Sequence, residues 1–173
     1  MEKFTFVDRL DNQRIQLLNN ISEKDSEITE LFLDFQWGYR NMQKVYDDVL
    51  DKHGLSESRF IMLMFLRQAP HNELLPSVIS EKLGATRATV SELLKAMTLK
   101  GWVVKQASDT DKRSVSVKLT ENGVKVLQEF LPQNFHTIHL LLGELTHEEI
   151  EQFSHLLAKI KTGTQKCTQE MEQ

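Results

Sequence analysis

The sequence predicts a mainly α fold with a small β wing, in which a winged helix-turn-helix is flanked by long helices at both ends. Two short helical patterns are separated by Gly84, a residue type that commonly ends helices in the left-handed conformation. Two strand-like segments, residues 102–105 and 114–119, follow the second helix and enclose a polar turn. Longer helical patterns lie on either side, over residues 28–52 and from Thr120 onward. This is the order of parts that a winged helix-turn-helix requires.

The head, which we define as residues 55–123, is predicted to expose one side of its last short helix. Ser56 is the predicted N-cap of its first helix, and Pro76 begins the next one. Thr86 is predicted to cap the helix after Gly84, whose inward positions are Val90, Leu93 or Leu94, and Met97. This phase leaves short polar and basic side chains facing outward, where they suit base edges in a major groove: Arg87, Thr89, Ser91 and Lys95.

Charge is distributed unevenly along the chain. The whole protein carries a net charge of -4, but residues 82–118 contain eight Lys or Arg against three Asp or Glu, a local net charge of +5. Because phosphate attraction acts within roughly 8 to 10 Å at physiological salt, the local charge decides what binds there. The sequence therefore predicts contact with double-stranded DNA through Thr86, Arg87, Thr89, Ser91, Lys95, Lys105, Lys112 and Arg113.

Composition excludes several classes of protein. At 173 residues, 40% hydrophobic and 27% charged, the chain can bury a real core. No apolar run approaches the roughly 18 to 20 residues that a membrane span needs, and the first residues lack the apolar stretch of a signal peptide. The single cysteine, Cys167, excludes an intrachain disulfide and a cysteine-rich zinc site. These features predict a cytoplasmic protein.

Three short motifs in the head are similar to those of the MarR family of bacterial transcription regulators, and within it to the repressors of multidrug efflux pumps. They are Gly101-Trp102-Val103, Asp111-x-Arg113, and Val117-x-Leu119-Thr120-x-x-Gly123, and the resemblance extends over residues 24–157. It implies that Arg113 at the wing enters the minor groove and that Asp111 braces the wing loop. It also implies a homodimer that binds an operator, most often as a repressor.

The helices outside the head are predicted to form the dimer. Residues 28–52 carry apolar side chains at helical spacing, and a shorter helix is expected over residues 6–18. After the wing, Pro132 is expected to kink or interrupt a long helix, and Thr146 with Glu149 is predicted to form a capping box. The helix behind that box carries a narrow apolar seam of Ile150, Phe153, Leu156, Leu157 and Ile160.

The predicted division of the chain follows from these assignments. Residues 1–54 form an N-terminal extension and dimerisation helix, 55–123 the DNA-binding domain, and 124–173 the C-terminal dimerisation helices. The family resemblance implies a small-molecule pocket where the dimerisation helices meet the head. Its candidate residues are Trp37, Tyr39, Arg40, Phe60 and Met64, although for any one of them a core or interface role is the favoured interpretation. Aromatic walls and one guanidinium would suit a lipophilic or phenolic anion.

Other functions remain as alternatives. The chain could be a winged-helix protein-interaction module without a ligand response. A metal-responsive regulator could use His136 and His139 with His147 and His155, although no Cys, Asp or Glu completes a cluster around the first pair. A redox-responsive regulator could use Cys167, but the surrounding polar tail offers no electropositive pocket. No cofactor, metal site or enzyme is predicted, because the chain lacks a phosphate-binding glycine loop, an activated nucleophile and paired carboxylates in an apolar setting.

Overall fold

The computed structural model describes residues 26–107 and 115–172. Within these ranges the helices are α1 Ser26–Lys52, α2 Glu57–Gln68, α3 Pro76–Leu83, α4 Arg87–Leu99, α5 Glu121–Leu142 and α6 His147–Met171. The strands are β1 Glu73–Leu74, β2 Val103–Ala107 and β3 Val115–Leu119, with a 3-10 turn at Pro70–Asn72 before β1. The helix predicted over residues 6–18 lies outside the described residues.

The three strands form one antiparallel sheet in the order β1-β3-β2. Val103 is paired with Leu119 and Ala107 with Val115, so β2 and β3 form the predicted hairpin. The sequence did not predict β1, which is too short for an alternating pattern, and its Leu74 pairs with Val117 on the other edge of β3. Because β3 is central, its residues Ser116, Val117 and Leu119 are buried.

Local signals set the ends of the helices as predicted. The Ser56 hydroxyl accepts a hydrogen bond from the Arg59 N–H at the start of α2. Pro76 is the first residue of α3, and Gly84 ends that helix with a φ of 59°. At the start of α5 the Thr120 hydroxyl accepts from the Gly123 N–H at 3.0 Å. Short-range signals thus set where α2, α3 and α5 begin and where α3 ends.

One apolar core organises the first compact unit, which includes the described residues up to Pro132. Its fully buried side chains come from α1 to α4, the sheet and the first half of α5, and include Leu50, Leu63, Ile79, Leu94, Met97, Val117 and Phe130. Each such side chain contributes about 1.5 to 3 kcal/mol through burial. Gly123 lies against Trp102 so closely that an added Cβ would be 2.3 Å from the Trp102 carbonyl oxygen. The core therefore fixes α4 and the sheet to the same scaffold.

The second compact unit begins at Gln133 and contains the end of α5 and all of α6. Of the two outcomes predicted at Pro132, a kink or an interruption, the interruption does not occur, because α5 continues through the proline, which removes one N–H from the helix. The capping box is confirmed: the Thr146 N–H donates to Glu149 Oε2 at 2.8 Å, and the Glu149 N–H donates to Thr146 Oγ1 at 3.3 Å. Hydrogen bonds from the Thr146 backbone and hydroxyl hold the pKa of the Glu149 carboxyl below its ordinary value.

Helix α6 is longer than the sequence pattern indicated. The sequence predicts a polar tail around Cys167, and the structure has this cysteine as an exposed residue of a helix that continues to Met171. The hydroxyls of Thr162, Thr164 and Thr168 each donate to the carbonyl four residues earlier, which keeps these polar side chains compatible with the helix. In the described ranges, no helix has the length and apolar character needed to cross a membrane.

Candidate nucleic-acid interface

Helix α4 is anchored by one apolar stripe and is otherwise open. Val90, Leu94 and Met97 are buried in the core. Successive residues of an α-helix are about 100° apart, so the side opposite this stripe can be assigned from the register alone. We call it the outward face, and it consists of exposed residues: Ala88, Glu92, Lys95 and Leu99.

The first turn of α4 is held by a chain of hydrogen bonds. After the left-handed Gly84, the Ala85 N–H donates to the Ser80 carbonyl at 3.1 Å, and the Ser80 hydroxyl donates back to the Ala85 carbonyl. Thr86 Oγ1 then accepts from the Thr89 N–H at 3.2 Å, as predicted for the N-cap. The two threonine hydroxyls lie 2.9 Å apart. This turn therefore exposes a fixed pair of hydroxyls at the positive end of the helix dipole, where phosphate and base acceptors are favoured.

The described DNA-binding candidates are all exposed, but they occupy different edges of α4. Arg87 and Ser91 are four residues apart and share one edge of the outward face. Thr89 lies on the other edge, about 160° around the axis from Ser91. Lys95 is on the outward face itself, and Lys105 is exposed on β2 opposite Val117 of β3. The structure thus exposes all of the α4 candidates, with Lys95 on the outward face and the others on its two edges.

The wing candidates Asp111, Lys112 and Arg113 lie outside the described residues. The strands that lead into and out of this segment are described, and they are paired as far as Ala107 and Val115. The assignment of these three residues to the wing remains a prediction from the sequence motif.

Three residues of the outward face were missed by the sequence interpretation. Leu99, Glu92 and Ala88 lie nearest to the point opposite the buried stripe, whereas the sequence prediction chose Lys95 and polar residues on both edges. The missing signal was available, because Val90, Leu94 and Met97 define the phase of the helix. By composition alone, Glu92 is one of the three acidic residues in the basic segment 82–118.

Two basic residues of the head are engaged in the protein itself. Lys100 Nζ donates to the Gly54 carbonyl at 2.9 Å and lies 4.6 Å from the centroid of the Trp102 ring. Lys82 Nζ lies 5.3 Å from the centroid of the Phe65 ring. The local excess of positive charge therefore overstates the number of cations that are free to meet phosphate.

The ligand candidates do not form one cluster. Phe60 is 8% exposed and packs edge-on against Phe130, with ring centroids 5.0 Å apart, so it belongs to the core. Trp37 and Arg40 are three residues apart on one face of α1, and the Trp37 side chain is 39% exposed. Tyr39 lies on a different side of α1 from Trp37. Met64 is half-buried against the core.

The histidines and the cysteine do not meet in the described part of the chain. No group of three or more His, Cys, Asp or Glu that could hold a metal ion occurs within those residues. His136 and His139 are exposed residues of α5, and His147 lies 3.4 Å from Glu151 on α6.

An exposed helix with polar edges, anchored beside an antiparallel sheet of three strands, defines the class of this protein as winged helix-turn-helix.

Sequence comparison assigns the family. The sequence profile of the MarR family matches residues 53–114. The HTH-type transcriptional repressor YetL of Bacillus subtilis (strain 168) is 31% identical over 136 residues, which cover 79% of this chain and 81% of YetL. The transcriptional repressor MprA of Escherichia coli (strain K12) is 29% identical over 112 residues, which cover 65% of this chain and 64% of MprA. The chain belongs to the MarR family.

Solved structures have the same fold. The MarR family regulator Sco3205 from Streptomyces coelicolor, in complex with DNA, is similar with a TM-score of 0.71 at 19% identity, covering 80% of this chain and 88% of Sco3205. Bordetella bronchiseptica BpsR, whose DNA binding is regulated by 6-hydroxynicotinic acid, is similar with a TM-score of 0.63 at 19% identity, covering 73% of this chain and 89% of BpsR. The predicted mainly α fold with a β wing is confirmed. The protein is a DNA-binding transcriptional regulator, and its relatives are regulators rather than enzymes.

Proposed function

We propose that this protein is a homodimeric repressor that places α4 of each subunit in the major groove of a pseudo-palindromic operator. A small lipophilic or phenolic ligand releases it from the DNA. The observation that carries the proposal is the exposed side of α4, which presents hydroxyl and basic side chains on a helix anchored by Val90, Leu94 and Met97. A regulator of chromosomal genes works in the cytoplasm, which is where we place it.

The DNA contacts divide by position. Arg87, Thr89 and Ser91 lie in the first two turns of α4, the part of a recognition helix that reaches base edges. Lys95 and Lys105 lie farther along the helix and on β2, and we assign them to phosphate. From the family resemblance, Lys112 and Arg113 would add contacts at the wing, with Asp111 bracing its loop. The hydroxyl pair of Thr86 and Thr89 supports contact with the DNA at the helix N-terminus.

Exposed apolar faces support the homodimer. On α1, Ile28 is 70% exposed and Leu31, Phe32 and Phe35 follow it at helical spacing, all of them exposed. On α6, the predicted seam is exposed along its length at Ile150, Phe153, Leu156 and Ile160. A soluble monomer rarely leaves such faces uncovered, and a second copy would cover the same face on each subunit. Two heads would then reach half-sites about one helical turn of DNA apart.

Two observations support the ligand response: the side chains that α1 exposes, and the regulation of a structurally similar member of the family by a small molecule. Trp37 and Arg40 present an indole and a guanidinium on one face of that helix, which suits an aromatic anion. Tyr39, Phe60 and Met64 remain candidates that would contribute only if the ligand opens the core or bridges to the other side of α1. The regulation of BpsR by a hydroxylated aromatic acid supports this chemical class.

Selection of binding sites from a random duplex library tests the proposal. The full-length protein should enrich one pseudo-palindromic sequence and bind it in a salt-dependent manner, and light scattering should give the mass of a dimer. Enrichment of no sequence, with only weak salt-sensitive binding to all duplexes, would contradict the operator-binding function. A monomer at the concentrations used would contradict the assignment of the apolar faces.

A further inference from the structure

We propose that Glu92 determines operator specificity by accepting a hydrogen bond from the exocyclic amino group of a cytosine in the major groove. The inference rests on the proposed role of α4 as the recognition helix. It concerns a residue that is negatively charged on a surface expected to meet a polyanion. A carboxylate at such a position needs a partner other than phosphate.

The position of Glu92 supports contact with a base. It lies in the second turn of α4, on the outward face and opposite the buried stripe. Ala88 is one turn before it and Ala96 one turn after it, so no long side chain shields it along its own row of the helix. The short Ala88 side chain also allows the helix backbone to approach the floor of the groove.

The Glu92 carboxylate is also uncommitted within the protein. Across residues 26–107 and 115–172, no hydrogen bond or ion pair holds it, although Lys95 is three residues away on the same face. An exposed carboxylate that only solubilised the head would weaken DNA binding by repelling phosphate. A carboxylate that accepts a hydrogen bond from a base gains binding energy that offsets this repulsion, but only at DNA sequences that present the donor.

The chemistry of base edges selects cytosine. An ionised carboxylate only accepts hydrogen bonds. In the major groove, guanine presents two acceptors and thymine one acceptor and a methyl group, so neither can donate to Glu92. Adenine presents a donor beside its N7 acceptor, which would repel the second carboxylate oxygen. Cytosine presents its N4 amino group without an adjacent major-groove acceptor of its own, so it is the favoured partner.

Selection with charge-matched variants tests this assignment. Random duplex libraries would be selected with the full-length wild type, Glu92→Ala, Glu92→Gln and a control, Glu81→Gln, which removes one exposed carboxylate from α3 of the same head. Thermal melting should show that all four proteins fold, because both side chains are exposed. Affinities for the selected and for an unrelated duplex would then be measured by fluorescence anisotropy.

The wild type should require a cytosine at one position in each half-site, with a preference of about tenfold. Glu92→Ala should lose that preference while binding unrelated DNA more tightly, and Glu92→Gln should shift the position toward adenine, which pairs with glutamine through N6 and N7. Glu81→Gln should retain the wild-type consensus. The inference is overturned if the consensus selected by Glu92→Ala still requires the cytosine. It is also overturned if Glu92→Ala raises the affinity for all sequences equally, and by no more than Glu81→Gln does. A wild type that selects no consensus overturns the role of α4 itself.

Discussion

Lys100 and Gly54, which are 46 residues apart in the chain, are joined by a hydrogen bond from Lys100 Nζ to the Gly54 carbonyl oxygen at 2.9 Å. Gly54 lies in the turn after α1, with a φ of 68°, and Lys100 caps the end of α4. The same ammonium lies over the Trp102 ring. The pair therefore ties the end of the proposed dimerisation helix to the end of the proposed recognition helix, and it engages a lysine that the local charge would assign to DNA.

Replacing Lys100 and Lys95 by methionine should separate these two roles. Lys100→Met should lower the free energy of unfolding by about 1 kcal/mol, because one hydrogen bond and one cation–π contact are lost. The salt dependence of operator binding by Lys100→Met should stay close to that of the wild type. Lys95→Met should leave stability nearly unchanged and make the salt dependence shallower by about one phosphate per subunit. Chemical denaturation and salt titrations of binding would measure both effects.

The assignment of Lys100 to the fold and of Lys95 to phosphate would be contradicted by the opposite pattern. In that pattern Lys100→Met has the wild-type free energy of unfolding, and Lys95→Met has the wild-type salt dependence of operator binding. A loss of affinity in Lys100→Met at unchanged salt dependence would instead agree with a positioning role at the end of α4.

Gly123→Ala should strongly destabilise the head. The added methyl would lie 2.3 Å from the Trp102 carbonyl oxygen and 2.7 Å from Leu119 Cδ1, and the carbonyl belongs to backbone that cannot easily move. Overpacking of this kind costs about 1 to 3 kcal/mol. Gly163→Ala is the matched control, because nothing lies within 4 Å of a Cβ on this residue of α6. It should stabilise the helix by about 0.5 to 1 kcal/mol, and equal melting temperatures for the two variants would refute the packing described at Trp102.

The capping box of α6 should give a measurable dependence on pH. The pKa of Glu149 is lowered because its carboxylate accepts from the Thr146 N–H, so the folded state binds this proton less readily than the unfolded state does. The contribution is present above the ordinary glutamate value of 4.5 and is lost as the pH falls through the lower, folded pKa. NMR titration of Glu149 would follow it. Thr146→Ala removes the hydroxyl that hydrogen-bonds to the Glu149 carboxylate but keeps the backbone N–H of residue 146, so the pKa should move part of the way back toward its ordinary value. An unchanged titration would contradict the contribution of the hydroxyl.

Arg40→Ala should weaken the binding of a hydroxybenzoate, used as a probe of the proposed ligand class. Trp37 lies one turn away on the same face of α1, so quenching of its fluorescence provides the readout. If the probe weakens operator binding tenfold, about 1.4 kcal/mol, then saturating operator must weaken probe binding by the same factor. Arg67→Ala, an exposed arginine on α2, is the control and should bind the probe as the wild type does. Quenching without any release of operator would remove the induction mechanism.

The parts of the fold that depend on neighbouring residues could be predicted from the sequence. Ser56, Thr86 and Thr146 are caps whose partners lie three residues away, and Gly84 needs only its own backbone conformation. Contacts between distant residues could not be predicted in this way. The pairing of Leu74 with Val117 and the contact of Lys100 with Gly54 depend on the packed head, and neither leaves a periodic signal.

The candidate interface was predicted in composition better than in geometry. The choice of Arg87, Thr89 and Ser91 rested on the predicted inward positions and on residue type, and all three are exposed. The sequence left Leu93 and Leu94 as alternative inward positions, and the burial of Leu94 fixed the phase of the helix, which placed Glu92 and Ala88 on the outward face. The ligand candidates followed from the pocket that the family resemblance implies between the dimerisation helices and the head, and burial then assigned Phe60 to the core.

A methylation-interference footprint on the selected operator tests most directly whether α4 occupies the major groove. Methylation of guanine N7 modifies the major-groove edge, whereas methylation of adenine N3 modifies the minor-groove edge. We expect N7 methylation to block binding in two clusters, centred about 10 to 10.5 base pairs apart on the same face of the duplex. Binding that tolerates N7 methylation throughout the operator, or a single unpaired cluster, would contradict a dimer that reads two half-sites through α4.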